Sequence, residues 1–153
     1  GKSLISCRLG IADGKSDGLT VNDGVATAVL LEKLGMPLLD ISCAHSVSDS
    51  IVPEGSNYSS LMHLAQLTKE AVSIPVIGVG GIKRPEQAEA ALTDGMADLI
   101  AVGKGLLADP GWAVKLEDGK PETVNECINC KTCFCFKNLN NCPVRKKSGI
   151  VLT

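Results

Sequence analysis

Residues 74–81 read IPVIGVGG and residues 97–112 read ADLIAVGKGLLADPGW, with a helical run between them. Val76–Val79 and Leu99–Val102 are continuous apolar runs without alternation, the pattern of strands covered on both faces in a parallel sheet. Pro85–Leu92 (PEQAEAAL) reads as a helix, with Pro85 in its first turn and Gly95 just beyond its end. Each strand runs straight into glycine: Gly80 and Gly81 after the first, Gly103 and Gly105 on either side of Lys104 after the second. Where no side chain blocks the way, backbone amides can approach an anion, so the two turns outline a phosphate site. Tight turns alone also call for glycine, but two such turns after successive strands favour the phosphate.

The same rhythm extends toward the N-terminus. Leu4–Leu9 (LISCRL) is a short apolar run, followed by a glycine-rich loop. Val21–Leu34 has helical spacing, with Thr20 as N-cap and Gly35 as the stop. Leu38–Ser42 (LLDIS) repeats the strand signal, a polar loop runs to about Ser59, and a helix follows over Leu61–Val72 with Met62, Leu64, Ala65 and Leu67 for its buried face. Strands thus begin near residues 4, 38, 76 and 98, each followed by a helix, and right-handed crossovers line them up in parallel. The predicted fold class is α/β: four βα units forming the C-terminal half of a TIM (β/α)8 barrel, with a cysteine-rich extension. In that half the glycine turns follow strands seven and eight, where such barrels often hold a phosphate. A full barrel needs at least ~200 residues, so a chain of 153 cannot close one alone. The expected partners are the N-terminal half of the same barrel and further copies of the chain, as a homodimer or higher oligomer. The composition turns polar after Trp112, which divides the chain into a half barrel over residues 1–117 and a separately stabilised tail over 118–153.

Apolar residues make up 44% of the chain and charged residues 21%, enough to bury a core. A net charge of -2 with scattered Lys and Arg disfavours nucleic acid and leaves a small-molecule substrate as the expected ligand. No apolar stretch approaches the ~20 residues of a membrane span, and Gly1–Leu9 lacks a signal-peptide pattern, so the expectation is a cytoplasmic protein without a membrane partner. Five of the seven cysteines crowd between Cys127 and Cys142. A disulfide framework is not distributed that way, which points to metal binding or reduced thiols.

The segments IPVIGVGGIKRPEQAEAAL and GMADLIAVGKGLLADPGW closely resemble the end of the old yellow enzyme family of FMN-dependent NAD(P)H oxidoreductases. ISCRLG resembles the family's fifth strand, DGLTVNDGVATAVLLEKLG its next helix and LLDIS its sixth strand, so the resemblance covers about residues 4–113. It implies that Arg8 lies against the N1/O2 side of the flavin and stabilises the reduced form. It likewise implies that Gly80 and Gly81 hold the FMN phosphate with their amides, and that Gly103 with Lys104 forms the second phosphate turn. The family usually has Arg after that glycine, and Lys keeps the charge without the planar fork. The family's substrate-binding His/His or His/Asn pair and its proton-donating tyrosine belong to the N-terminal half, so no catalytic residue is assigned within this chain. His45 and Tyr58, in the loop after the second strand, receive no role.

Cys127, Cys130 and Cys133 form C-x2-C-x2-C, with Cys135 close behind and Cys142 followed by Pro143. Three thiolates at two-residue gaps and a distant fourth suit a 4Fe-4S cluster, and a four-cysteine zinc site suits the same residues. The segment is similar to the cluster-binding segment of 2,4-dienoyl-CoA reductase and its relatives, where INTCIGC-like sequence stands in place of VNECINC. The third ligand stays open between Cys133 and Cys135, because that branch spaces its third cysteine one residue further on. Cys7 and Cys43, in or next to strands, read as small apolar residues. The basic run Arg145, Lys146, Lys147 reads as a solvated tail, or as a surface for an acidic domain or a nicotinamide nucleotide.

The family resemblance implies part of an enzyme that passes hydride from NAD(P)H through FMN to electron-poor alkenes or related acceptors, with a cluster to relay single electrons. By this reading the chain is inactive alone. The alternative is a non-catalytic half barrel that binds a phosphate or metal and acts as an assembly module.

Overall fold

The computed structural model describes residues 3–44, 51–133, 135 and 138–150. Its elements in chain order are β1 (Cys7–Gly10), α1 (Val21–Lys33), β2 (Leu39–Ser42), α2 (Ser60–Ala71), β3 (Val76–Val79), α3 (Pro85–Thr93), β4 (Leu99–Ala101), α4 (Lys104–Ala108), α5 (Trp112–Glu117) and α6 (Pro143–Lys147). The strands stand side by side in the order β1-β2-β3-β4, every pair parallel. Each βα unit therefore adds beside the one before it, and the four together are half of a (β/α)8 barrel. The chain divides into two compact units, residues 1–81 with 90–101 and residues 82–89 with 102–153.

The first unit holds the sheet with α1 and α2. Local chemistry sets the ends of α1: the Thr20 side chain accepts from the Asp23 amide while the Asp23 carboxylate accepts from the Thr20 amide. This reciprocal cap satisfies two donors that a helix start otherwise leaves open. Gly35, at φ 90°, ends the helix as its sequence position predicts. Ile11, Ala28, Leu39, Ile41, Leu64, Ala65 and Val76 form the core between these helices and the sheet, with Cys7 and Cys43 packed partly buried against it. Asp98 ties the start of β4 to β3, accepting from the Val76 amide at 2.9 Å and pairing with Lys69 at 2.9 Å.

Three expectations are corrected here. The first strand begins at Cys7, and Leu4 and Ile5 are exposed. On α2, Leu67 is exposed and Thr68 takes the inner position, its hydroxyl donating to the Leu64 carbonyl at 2.8 Å. A mid-helix threonine can be buried because that bond satisfies it. The strands after α2 are not covered on both faces: β3 alternates buried and half-buried residues, and Leu99 on the edge strand β4 is 48% exposed.

The second unit contains α4, α5, α6 and the cysteine-bearing residues, held by the buried carboxylate of Asp109. It accepts from Lys115 Nζ at 2.6 Å, from the Asn125 backbone amide at 2.8 Å, from Asn125 Nδ2 at 2.9 Å and from the Gly111 amide at 3.0 Å. Asn125 in turn accepts from the Ser148 hydroxyl at 2.7 Å. These bonds tie α5, the approach to the cysteines and the end of α6 to one point. The basic run is also corrected: it forms the last turns of α6, and Arg145 is buried while Lys146 and Lys147 stay exposed. Three residues on from the buried Cys142, Arg145 falls on the same helix face and is drawn inward with it. Among the described residues, no helix is long and apolar enough to cross a membrane.

Candidate functional site

In the first unit, the parallel register sets Arg8 of β1 directly opposite Asp40 of β2. Arg8 Nη1 lies 3.5 Å from Asp40 Oδ2, and Nη2 donates to the Ser42 hydroxyl at 3.2 Å. The guanidinium is thus braced on one side, yet its side chain remains 63% exposed and can still meet a ligand. Asp40 was not singled out from the sequence. A carboxylate inside the apolar run LLDIS was the signal, because a charge in a strand needs a partner on the neighbouring strand.

Directly after β3, Gly80 and Gly81 adopt φ of 112° and 79°, a conformation that side chains disfavour. The turn is fixed from α2: the Ser59 hydroxyl accepts from the Met62 amide at 3.3 Å, capping the helix, and donates to the Gly80 carbonyl at 3.1 Å. A Cβ on Gly80 would lie 2.8 Å from that hydroxyl oxygen. Among the described residues, no acceptor takes the Gly81 amide. Tyr58 has a structural explanation, since its hydroxyl donates to Asp94 at the end of α3 and that bond pushes its pKa up to about 12. His45 lies outside the described residues.

In the second unit, a Cβ on Gly103 would meet open space, and no acceptor among the described residues takes the amides of Gly103 or Lys104. The Lys104 ammonium donates to Asn129 Oδ1 at 3.1 Å, inside the Cys127–Cys130 loop. Asn129 has φ 49°, and its own amide donates to Cys127 Sγ at 3.4 Å. Sequence reasoning missed Asn129, whose signal was a residue type that tolerates the left-handed region between two close cysteines.

Cys127, Cys130, Cys133, Cys135 and Cys142 line one pocket together with Lys104, Leu107 and Ala108. No disulfide joins the described cysteines, which include all seven. Cys135 is buried; the loss of water, and then the neighbouring Cys142 and Cys133 thiols, push its pKa up and keep it protonated. Among the described residues, no three of His, Cys, Asp and Glu are grouped closely enough to hold a metal ion as they stand. The pocket therefore brings the predicted ligands to one place without setting them in coordination geometry.

A model of the NADH:flavin oxidoreductase / NADH oxidase family matches residues 1–123. An NADH oxidase of Thermoanaerobacter brockii is 36% identical over 152 residues, 95% of this chain and 23% of that protein. An NADH:acrylate oxidoreductase of Vibrio harveyi is 31% identical over 140 residues, 89% of this chain and 12% of that protein. Among solved structures, histamine dehydrogenase from Rhizobium sp. 4-9 has a TM-score of 0.68 at 23% identity, over 84% of this chain and 19% of its own, a likeness of fold. The chain spans less than a quarter of the length of each of these proteins.

Proposed function

Because the chain belongs to the NADH:flavin oxidoreductase / NADH oxidase family, we propose that it forms the phosphate-binding and cysteine-bearing part of an FMN-dependent enzyme that reduces electron-poor alkenes with NAD(P)H. The observation that carries this reading is the Gly80–Gly81 turn, left-handed, tethered by Ser59 and with no acceptor for the Gly81 amide among the described residues. That turn fits a phosphate oxygen. FMN, when bound, supplies a centre that accepts hydride and gives electrons to a second substrate. The chain's own part is to hold and polarise. In the first unit Gly80 and Gly81 hold the phosphate, and Arg8, steadied by Asp40 and Ser42, presents positive charge where the reduced ring carries negative charge; in the second unit Gly103 and Lys104 form a turn of the same kind. The alkene as acceptor is supported by the relative that is an NADH:acrylate oxidoreductase. No residue of this chain is assigned the orientation of the acceptor or its protonation.

For the cysteine pocket the reading is a 4Fe-4S cluster on Cys127, Cys130, Cys133 and Cys142, with Cys135 as the buried fifth thiol. Soft thiolate donors fit both zinc and iron-sulfur chemistry. A zinc ion would draw four sulfurs to about 2.3 Å from one point, whereas three cysteines at two-residue gaps with a distant fourth suit the corners of a cluster. Such a concentration of reduced thiols also supports a cytoplasmic location.

Titrating flavin-stripped intact protein with FMN and with riboflavin tests the phosphate handle. FMN is expected to bind at least tenfold more tightly. Equal affinity for the two, or no flavin binding, contradicts the proposal.

A further inference from the structure

We infer that Lys104 and Asn129 form a clamp on the Cys127 sulfur that raises the reduction potential of the group bound there. The inference rests on the cluster reading above. Three observations within the second unit carry it. First, Asn129 sits at φ 49°, a conformation open to few residues other than glycine, and this turn aims its amide at Cys127 Sγ, 3.4 Å away. Second, its carboxamide oxygen accepts from Lys104 Nζ at 3.1 Å, so the lysine fixes the orientation of the loop that makes the sulfur bond. Third, Lys104 lines the cysteine pocket, and among the described residues lining it this is the one with a formal positive charge.

The physical consequence has a definite sign. Four thiolates around a cluster carry net negative charge, and every added electron increases it. A hydrogen bond to a ligand sulfur withdraws part of that charge, and a cation at the pocket wall attracts the rest; both make reduction easier. Lys104 is thereby a positioning residue for the cysteine loop as well as a candidate phosphate contact. The same lysine joins the Gly103–Lys104 turn to the Cys127–Cys130 loop through Asn129.

The test is the midpoint potential of the cluster in the intact protein, followed by EPR during a reductive titration. Iron and sulfide are quantified first. Lys104→Met is expected to shift the potential in the negative direction with cluster content unchanged. Asn129→Gly, which keeps the left-handed turn and the lysine charge but removes the carboxamide, is expected to shift it the same way by less. The double variant is expected to match Lys104→Met alone, and Lys104→Arg to stay close to the wild-type potential. Wild-type potential in both Lys104→Met and Asn129→Gly, with clusters intact, overturns the clamp. Should Lys104→Met fail to retain its cluster, an unshifted Asn129→Gly by itself overturns it. Wild-type protein without iron and sulfide overturns the cluster reading and the clamp with it, an outcome the metal analysis separates from the others.

Discussion

Replacing Asp109 with alanine removes one carboxylate and strips four donors at once: the Lys115 ammonium, the Asn125 amide, the Asn125 carboxamide and the Gly111 amide. Leaving buried donors unmade costs about 1–3 kcal/mol, read as a lower urea midpoint for the Asp109→Ala variant. The pH dependence has a fixed sign. Burial works to raise the Asp109 pKa, but the Asn125 and Lys115 hydrogen bonds and the Lys115 charge together outweigh it and hold the pKa below the usual range. A carboxylate depressed in the fold stabilises above its unfolded value of about 3.9 and loses that contribution as pH falls through the lower folded value. Wild-type protein is therefore expected to lose more stability than Asp109→Ala between pH 6 and pH 3. Gly81→Val acts differently, since a β-branched residue at φ 79° is strained by about 1–3 kcal/mol. It is expected to weaken FMN binding at least tenfold by fluorescence titration. Gly81 was legible because glycine after a strand has a known use. Asp109 was not, because its partners lie 6 and 16 residues away in a polar stretch with no periodicity to align them.

At the scale of elements, Ser59 links a helix to a turn. Its hydroxyl caps α2 and donates to the Gly80 carbonyl, so Ser59→Ala removes a cap worth about 1 kcal/mol and loosens the turn. Thermal unfolding is expected to show the first effect and weaker FMN affinity the second; unchanged affinity would mean that the tether does not shape the phosphate site. Helix boundaries were legible where capping chemistry is local. Thr20 and Asp23 close a box within four residues, Pro85 opens α3, and the N3 residue Gln87 accepts from the Lys83 and Arg84 amides. Helix faces were less so. Leu67 and Thr68 are adjacent, and a small rotation of α2 with one hydroxyl bond to Leu64 decides which of them turns inward.

Across the whole molecule, the order of four parallel strands was legible from their spacing, because crossover handedness leaves few ways to connect them. What each face meets was not, since strand burial depends on groups remote in sequence. β1 and β4 each pair on one side within the sheet, and Leu4, Ile5 and Leu99 are exposed near those edges. Open edges bearing apolar residues favour pairing with another chain. We propose that the complementary half of the barrel covers them, and that the 153-residue chain by itself associates. Light scattering is expected to give a mass above that of one chain; a monodisperse monomer contradicts this. We propose that one chain carries both a flavin phosphate handle, at the glycine turns, and a cluster pocket, at the cysteine loop. The visible absorption spectrum of the intact protein, purified anaerobically, tests it most directly. Flavin bands over a broad iron-sulfur absorption are expected, and a colourless protein would contradict both assignments.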